Sequence, residues 1–134
     1  MMVVDTSALI TILEREADAT QFVTVIANTR DVVTSAMQAH EAGVVLSRRH
    51  GAAAAERMWA FLAEHRIRVM PFGVDDARAA TAAYQRYGKG TGHPAQLNFA
   101  DCAAYALATR FGAPQLFKGD DFTQTDVTCA TAGV

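Results

Sequence analysis

Acidic residues recur in this sequence where a short apolar run ends or a helical pattern begins. Asp5 ends the run Met2–Val4 and is the only charged residue among the first thirteen. Glu41 and Asp101 each lie on an apolar helical face, and a pair of acids follows the last apolar run, at Asp120 and Asp121. Carboxylates packed together repel one another unless a cation neutralises them. If these acids converge, the chemistry they predict is binding of a divalent metal ion.

Each acid also has an ordinary structural interpretation that the sequence leaves open. Asp5 is typical of a helix N-cap, and Asp101, three residues after Asn98, is favourable at a helix N-terminus without any other role. Glu41 shares its face with Met37, Val44 and Val45, but it can also lie at the edge of that stripe and reach water. Paired acids in a glycine-containing turn are usually solvated. The prediction therefore depends on the set rather than on any one residue.

The residue types favour Mg²⁺ or Mn²⁺ over zinc. Carboxylate oxygens are the preferred ligands of these harder cations, and Mg²⁺ keeps water molecules for substrate phosphates. The four His and two Cys residues show no zinc-binding spacing. Thr6 and Ser7, beside Asp5, are candidates for hydrogen bonds to a carboxylate or a metal-bound water. Ending the strand is the ordinary role of both residues.

Alternating strands and helices must position these acids. The patterns predict strands at 3–5, 31–34, 67–71 and 115–118, with a last short strand at 127–128. Helices are expected from Ala8, after Asp18, from a Ser35 cap with Gln38 in a capping box, over 52–65, from an Asp75 cap to Tyr87, and from Asn98 to Gly112. Such alternation predicts an α/β, three-layer fold whose mostly parallel central sheet is flanked by helices.

Composition limits the class of protein. With 134 residues, 51% of them hydrophobic and 19% charged, the chain is expected to form one globular domain over 1–134. No apolar run is long enough for a membrane span, and the N-terminus has no secretory pattern, so a cytoplasmic protein is expected. The net charge is −2. If four carboxylates hold a metal, the rest of the surface is slightly basic, so a nucleic-acid partner is not excluded.

Four stretches of the chain resemble the PIN-domain family. They are the opening Val3–Leu9, Ser35-Ala36 followed by Glu41, the helical stretch Asn98–Ala108, and Leu116–Asp126. Their order and spacing, together with the chain length, resemble the VapC-type toxins of bacterial toxin–antitoxin (VapBC) pairs. The resemblance spans the whole chain, and the third and fourth stretches are the specific ones.

This resemblance implies a Mg²⁺- or Mn²⁺-dependent endoribonuclease that hydrolyses phosphodiester bonds, leaving a 5′-phosphate and a 3′-hydroxyl. Asp5, Glu41 and Asp101 match the acidic positions of the family, and Asp121 matches the fourth, with Asp120 as its substitute. Asp5 and Asp101 are then the first-choice metal ligands. Glu41 completes the shell or orients the attacking water, and Asp121 positions a second ion or a ligand water.

The substrate class and the partners follow from the same resemblance, whereas the basic substrate-binding candidates are chosen because they follow the elements that carry the acids. The expected substrate is a tRNA or rRNA loop, with Thr6, Arg48 and Lys118 as the candidate substrate-binding residues and Arg49 grouped with Arg48. A cognate VapB-type antitoxin is expected to inhibit the toxin, and the expected assemblies are a homodimer and a heterotetramer or larger with antitoxin. Helical apolar residues, among them Leu9, Ile10, Leu13, Phe22 and Met58–Leu62, are candidates for its groove.

Two other classes of protein compete with this interpretation. A receiver-like phosphotransfer domain would need paired acids after the first strand and an acid ending a middle strand, whereas here Asp5 stands alone and the run 67–72 ends in Pro71-Phe72. A catalytically silent PIN-like module that binds RNA or protein usually lacks one or more of the acids, and the first three are present. The nuclease is therefore the favoured function.

Overall fold

The computed structural model describes residues 1–132 and shows a parallel sheet between two layers of helices. Its strands are β1 (Met2–Val4), β2 (Val32–Ser35), β3 (Arg68–Met70) and β4 (Gln115–Leu116), in the order β3-β2-β1-β4. All three pairings are parallel; Val3, for example, lies opposite Val33 on one side and Gln115 on the other. The predicted α/β fold with a parallel sheet is thus confirmed.

Within residues 1–132, six helices connect and cover the strands. They are α1 (Thr6–Leu13), α2 (Ala19–Ala27), α3 (Ala36–His50), α4 (Ala52–Glu64), α5 (Val74–Tyr87) and α6 (Phe99–Phe111). A 3₁₀ turn, Asp121–Gln124, follows β4. Among residues 1–132, none of the helices combines the length and apolar character needed to cross a membrane.

The strand residues alternate between two cores, as the period of a strand requires. Met2 and Val4 pack with Leu9, Leu46 and other residues of the first four helices on one face of the sheet. Val3 and Val33 face Leu107 and Ala108 of α6 on the other side. Because β1 is buried on both faces, the residue that follows it, Asp5, emerges from the middle of the sheet.

Several local predictions differ from the structure. Asp75 does not cap α5; the helix begins after Gly73, whose N–H donates to the Asp76 carboxylate over 2.9 Å. Residues 127–128 form no strand, and the contact with β4 is a single bridge between Gln115 and Cys129. The Ser35 hydroxyl caps α3 as predicted, by accepting from the Met37 N–H.

The Gln38 side chain does not complete the predicted capping box. It reaches across the molecule instead, and its amide Nε2 donates to the Ala100 carbonyl in the first turn of α6. Gln38 is fully buried. This contact fixes α3 against the N-terminal end of α6, the two helices that carry Glu41 and Asp101.

Candidate metal centre and nucleic-acid cleft

An open acidic cleft of about 370 Å³ lies where the carboxyl ends of the strands meet the start of α6. Such an edge is where open α/β sheets bind their ligands. The carboxylates that line it are those of Asp5, Glu16, Glu41 and Asp101, and its cations are Arg49 and Lys118; Thr6, Ser7, Ile10, Thr11 and Val45 complete it. Three of the predicted acids, Asp5, Glu41 and Asp101, which are separated by up to 96 positions in the sequence, therefore share one cleft with Glu16.

Asp5 forms the floor of this cleft. Its Oδ2 caps α1 by accepting from the Ser7 N–H over 3.0 Å, and it also accepts from the Ser7 hydroxyl over 2.7 Å. The side chain is buried, and Oδ1 has no hydrogen-bond donor within the described residues. Burial raises the pKa of Asp5 to about 6; the Ser7 hydrogen bonds oppose this shift, and the charge of Glu41 adds to it. Asp5 is therefore both the predicted cap and a buried acceptor that needs a cation or a proton.

Asp101 lies in the first turn of α6, where it exchanges hydrogen bonds with Asn98. The Asp101 N–H donates to Asn98 Oδ1 over 2.7 Å, and the Asn98 N–H donates to Asp101 Oδ2 over 3.0 Å. Burial, followed by the charge of Asp5, raises the pKa of Asp101 to about 7. The charges of Glu41 and Asp121 contribute further, whereas the Asn98 bond lowers it. The capping interpretation is correct, but the charges of the neighbouring carboxylates still disfavour ionisation of Asp101.

Glu41 reaches the cleft because it lies on the same face of α3 as Val45 and Arg49, at intervals of four residues. Asp121 starts the 3₁₀ turn and is exposed. It does not line the cleft, but it is near enough for its charge to act on Asp101. Asp120 is also exposed. The structure thus brings Asp5, Glu41 and Asp101 together and places Asp121 just outside.

The three predicted substrate-binding residues lie in different surroundings. Lys118 lines the cleft. The Thr6 hydroxyl is buried and donates to the Gln38 carbonyl over 3.4 Å, so its bond is internal. Arg48 is not brought to the cleft; it lines a separate groove between α3 and α4 with Trp59, and the adjacent Arg49 faces the carboxylates instead.

Sequence reasoning named Ser7 as a hydrogen-bonding partner of a carboxylate, but it missed the bond between Ser7 and the Lys118 backbone and did not separate Arg49 from Arg48. The Ser7 hydroxyl donates to Asp5 and accepts from the Lys118 backbone N–H over 2.9 Å, so it links β1 to the end of β4. No local pattern reveals a bond across 111 positions. Arg49 could have been found, because it follows Glu41 at two intervals of four on one helix.

The donor set of the cleft suits a hard divalent cation. Its lining includes carboxylates and hydroxyls but neither His nor Cys, and the orphaned Oδ1 of Asp5 is an acceptor that a cation would satisfy. Within residues 1–132, no three His, Cys, Asp or Glu side chains lie close enough to form a ready-made metal cluster. Mg²⁺ does not require one, since it is commonly held by one or two carboxylates and several waters.

Two neighbouring features do not offer competing chemistry. Burial, and then the charge of Asp101, raise the pKa of the Cys102 thiol to about 11, so a thiolate nucleophile is disfavoured at neutral pH. A second cavity of about 390 Å³ lies between α3, α5 and α6 and is mainly apolar, with Phe99 and Tyr84 in its wall. No carboxylate lines it.

Comparison with known proteins agrees with this architecture. Residues 2–127 match the family model of the PIN domain. The chain therefore belongs to the PIN domain family. Among curated proteins, it is 41% identical over 126 residues to Ribonuclease VapC28 of Mycobacterium tuberculosis, covering 94% of this chain and 95% of that protein. It is 38% identical to Ribonuclease VapC42 of the same organism, covering 94% and 96%.

Solved structures with the same fold are more distant in sequence. VapC20 of Mycobacterium tuberculosis, described as a sarcin-ricin loop cleaving toxin, has a TM-score of 0.79 at 21% identity, covering 96% of this chain and 97% of that one. A toxin–antitoxin complex from Klebsiella pneumoniae has a TM-score of 0.72 at 19% identity, covering 97% and 98%. At these identities the likeness is one of fold.

Proposed function

We propose that this chain is a metal-dependent endoribonuclease toxin of the VapC type, acting as one domain in the cytoplasm. One observation carries the proposal: the buried Asp5, with an unpaired Oδ1, shares a cleft with Asp101 and Glu41. A structural cap alone does not require three carboxylates to face one another. The 41% identity to a curated VapC ribonuclease supports the same activity.

Asp5 and Asp101 are the proposed direct ligands of Mg²⁺ or Mn²⁺. When bound, such an ion lowers the pKa of a coordinated water and neutralises charge on the phosphate undergoing attack. Ser7 holds Asp5 in one rotamer, and Asn98 does the same for Asp101. Glu41, on the wall of the cleft, is placed to accept a proton from the attacking water or to complete the shell. Asp121, outside the cleft, is placed to hold an outer water.

The proposed substrate is a single-stranded loop of tRNA or rRNA. The cleft is open, so it admits a strand whose bases are already unpaired. Hydrolysis by an activated water leaves a 5′-phosphate and a 3′-hydroxyl. Since a water rather than the 2′-hydroxyl attacks, these ends distinguish the proposed reaction from that of metal-independent ribonucleases.

A cleavage assay on total bacterial RNA tests the activity. We expect cleavage with Mg²⁺ or Mn²⁺, none with EDTA, and none from Asp101→Asn with either ion. Asp31→Asn is the matched control, because Asp31 lies just before β2, at the end of the sheet away from the cleft, where its half-buried side chain pairs with Arg68 over 2.8 Å. RNA binding by the wild-type protein without cleavage under any metal condition would favour the silent module instead.

We further propose that a VapB-type antitoxin restrains the enzyme and that the free chain forms a homodimer, with a heterotetramer or larger assembly on antitoxin binding. A solved VapBC2 from Rickettsia felis, bound to promoter DNA, shares the fold with a TM-score of 0.70. Most helical groove candidates are core: Leu9, Phe22, Met58 and Leu62 are buried, and Ile10 and Leu13 pack against them. Expression of the chain alone should arrest bacterial growth, and co-expression of the adjacent antitoxin should restore it.

A further inference from the structure

Two cations, Arg49 and Lys118, line the acidic cleft, and the backbone of each is fixed relative to a carboxylate. Arg49 lies on α3 two intervals of four residues beyond Glu41, on the face that lines the cleft. Lys118 follows β4, and its backbone N–H is joined to Asp5 through the Ser7 hydroxyl by bonds of 2.9 and 2.7 Å. An RNA backbone bound in the cleft would therefore lie within reach of both cations.

The two cations are held by acids from a single short segment, residues 14–18, which joins α1 to α2. Glu14 accepts from Arg49 Nη1 over 2.6 Å, and its second oxygen lies 2.8 Å from His50 Nε2. Asp18 pairs with the Lys118 ammonium. Glu16, between them, lines the cleft itself. The segment thus supplies a carboxylate to each of the two cations of the cleft.

These pairs are of the kind that a phosphate can displace. About half of the Arg49 and Lys118 side chains is exposed, at 54% and 47%, so both cations remain accessible from solvent. Exposed ion pairs contribute little free energy and are screened by salt; this describes Lys118 and Asp18 more closely than Arg49 and Glu14, since the Glu14 side chain is 17% exposed. Arg presents a planar fork that binds phosphate in two bonds, whereas Lys binds it as a point charge.

We propose that Arg49 and Lys118 are the phosphate-binding residues of the cleft, and that Glu14 and Asp18 hold them in the free protein and are exchanged for RNA phosphates on binding. This inference rests on the proposed ribonuclease function and specifies which residues bind the phosphates of the RNA substrate. It also predicts that Arg48, one position away, takes no part, since it faces the groove beside Trp59.

The test is binding of a fluorescein-labelled single-stranded RNA of mixed sequence, measured by anisotropy in EDTA over a series of salt concentrations. Each phosphate contact to a single strand contributes about 0.7 to the slope of log K against log salt. We expect Arg49→Gln and Lys118→Gln each to weaken binding and to lower the slope by about 0.7. Arg48→Gln, the matched control on the same helical turn, should leave both unchanged.

The exchange is tested by removing the competing acids. Glu14→Gln and Asp18→Asn should each tighten binding about two- to fivefold, the range expected for loss of one exposed ion pair. In a double-mutant cycle, Glu14→Gln should have no such effect when Arg49 is already Gln. Such a result would show that the tighter binding comes from loss of the Glu14–Arg49 ion pair rather than from the change in the net charge of the protein.

Three results would overturn the proposal: equal effects of Arg48→Gln and Arg49→Gln, tightening by Glu14→Gln that persists in the Arg49→Gln background, or no tightening at all. Melting temperatures establish that each variant is folded, and Arg49→Lys should recover part of the salt slope. Because binding is measured without a metal, the result stands apart from the cleavage assay. If the protein binds RNA as described but never cleaves it, the proposed ribonuclease activity is refuted, while the proposed exchange of Glu14 and Asp18 for RNA phosphates stands.

Discussion

Replacing Asp5 with Asn should stabilise the metal-free protein while abolishing cleavage. The buried carboxyl has its pKa raised from 3.8 to about 6. At about 1.36 kcal/mol per pKa unit, this corresponds to roughly 3 kcal/mol of disfavoured ionisation at pH 8. Asn caps helices as well as Asp does and can still accept from the Ser7 N–H, so the neutral side chain removes the charge without removing the cap.

The pH dependence identifies the cause. The folded-state pKa is higher than that of the unfolded chain, so the folded state binds more protons between about pH 4 and 6. Wild-type stability should therefore fall as pH rises through that window, and Asp5→Asn should lack the Asp5 share of the fall. The gain from Asp5→Asn should be close to zero at pH 4 and reach its maximum above pH 7.

The assay is urea unfolding in EDTA at several pH values, with the transition midpoint compared at equal slope. Asp31→Asn is the control: it removes a half-buried carboxylate that already pairs with Arg68, and it should give no gain in stability. Adding Mg²⁺ should stabilise the wild-type protein but have little effect on Asp5→Asn. An Asp5→Asn protein that is less stable than wild type at pH 8 in EDTA, or a gain that does not vary with pH, would refute the reasoning.

Three further predictions concern the same cleft. Asp101→Asn should lower the initial rate of cleavage at least 100-fold. Asp121→Asn should lower it about 10- to 100-fold, as is usual for a group acting through an outer water. Equal losses of rate would contradict these roles. Mg²⁺ affinity, measured by calorimetry, should rise between pH 5.5 and 7.5 because Asp5 and Asp101 must lose protons with pKa values of about 6 and 7; a flat profile would contradict this. Ser7→Ala should raise the pKa of Asp5, so the pH profile of cleavage should move to higher pH and the rate should fall about tenfold or more. Thr24→Ala is the control, because the Thr24 hydroxyl bonds only within α2.

The sequence predicted the fold well because its signals are local. Short β-branched runs end at Asp5 and Ser35, and capping residues stand before the helices at Ser35 and Asn98. The α5 cap was predicted wrongly because Asp76 accepts from the Gly73 N–H, so the capping acid lies in the first turn of the helix rather than before it. Propensity alone does not distinguish Asp75 from Asp76.

The candidate site was predicted less completely because it depends on contacts between distant segments. The position of Glu41 on the helix face that meets the cleft was readable from spacing, although the residue is only partly buried there. The Gln38 contact with α6 and the bridge from Ser7 to Lys118 span 62 and 111 positions. The sequence did not show which of Arg48 and Arg49 faces the acids, because that depends on how α3 is rotated relative to the cleft.

The most direct test of the central claim is the position of a bound metal ion. Crystals of the protein grown with Mn²⁺ and measured at an anomalous wavelength should show one strong peak in the cleft, with Asp5 Oδ1 and the Asp101 carboxylate among its ligands. Ion binding elsewhere, in a protein that nonetheless cleaves RNA with Mn²⁺, would contradict the account.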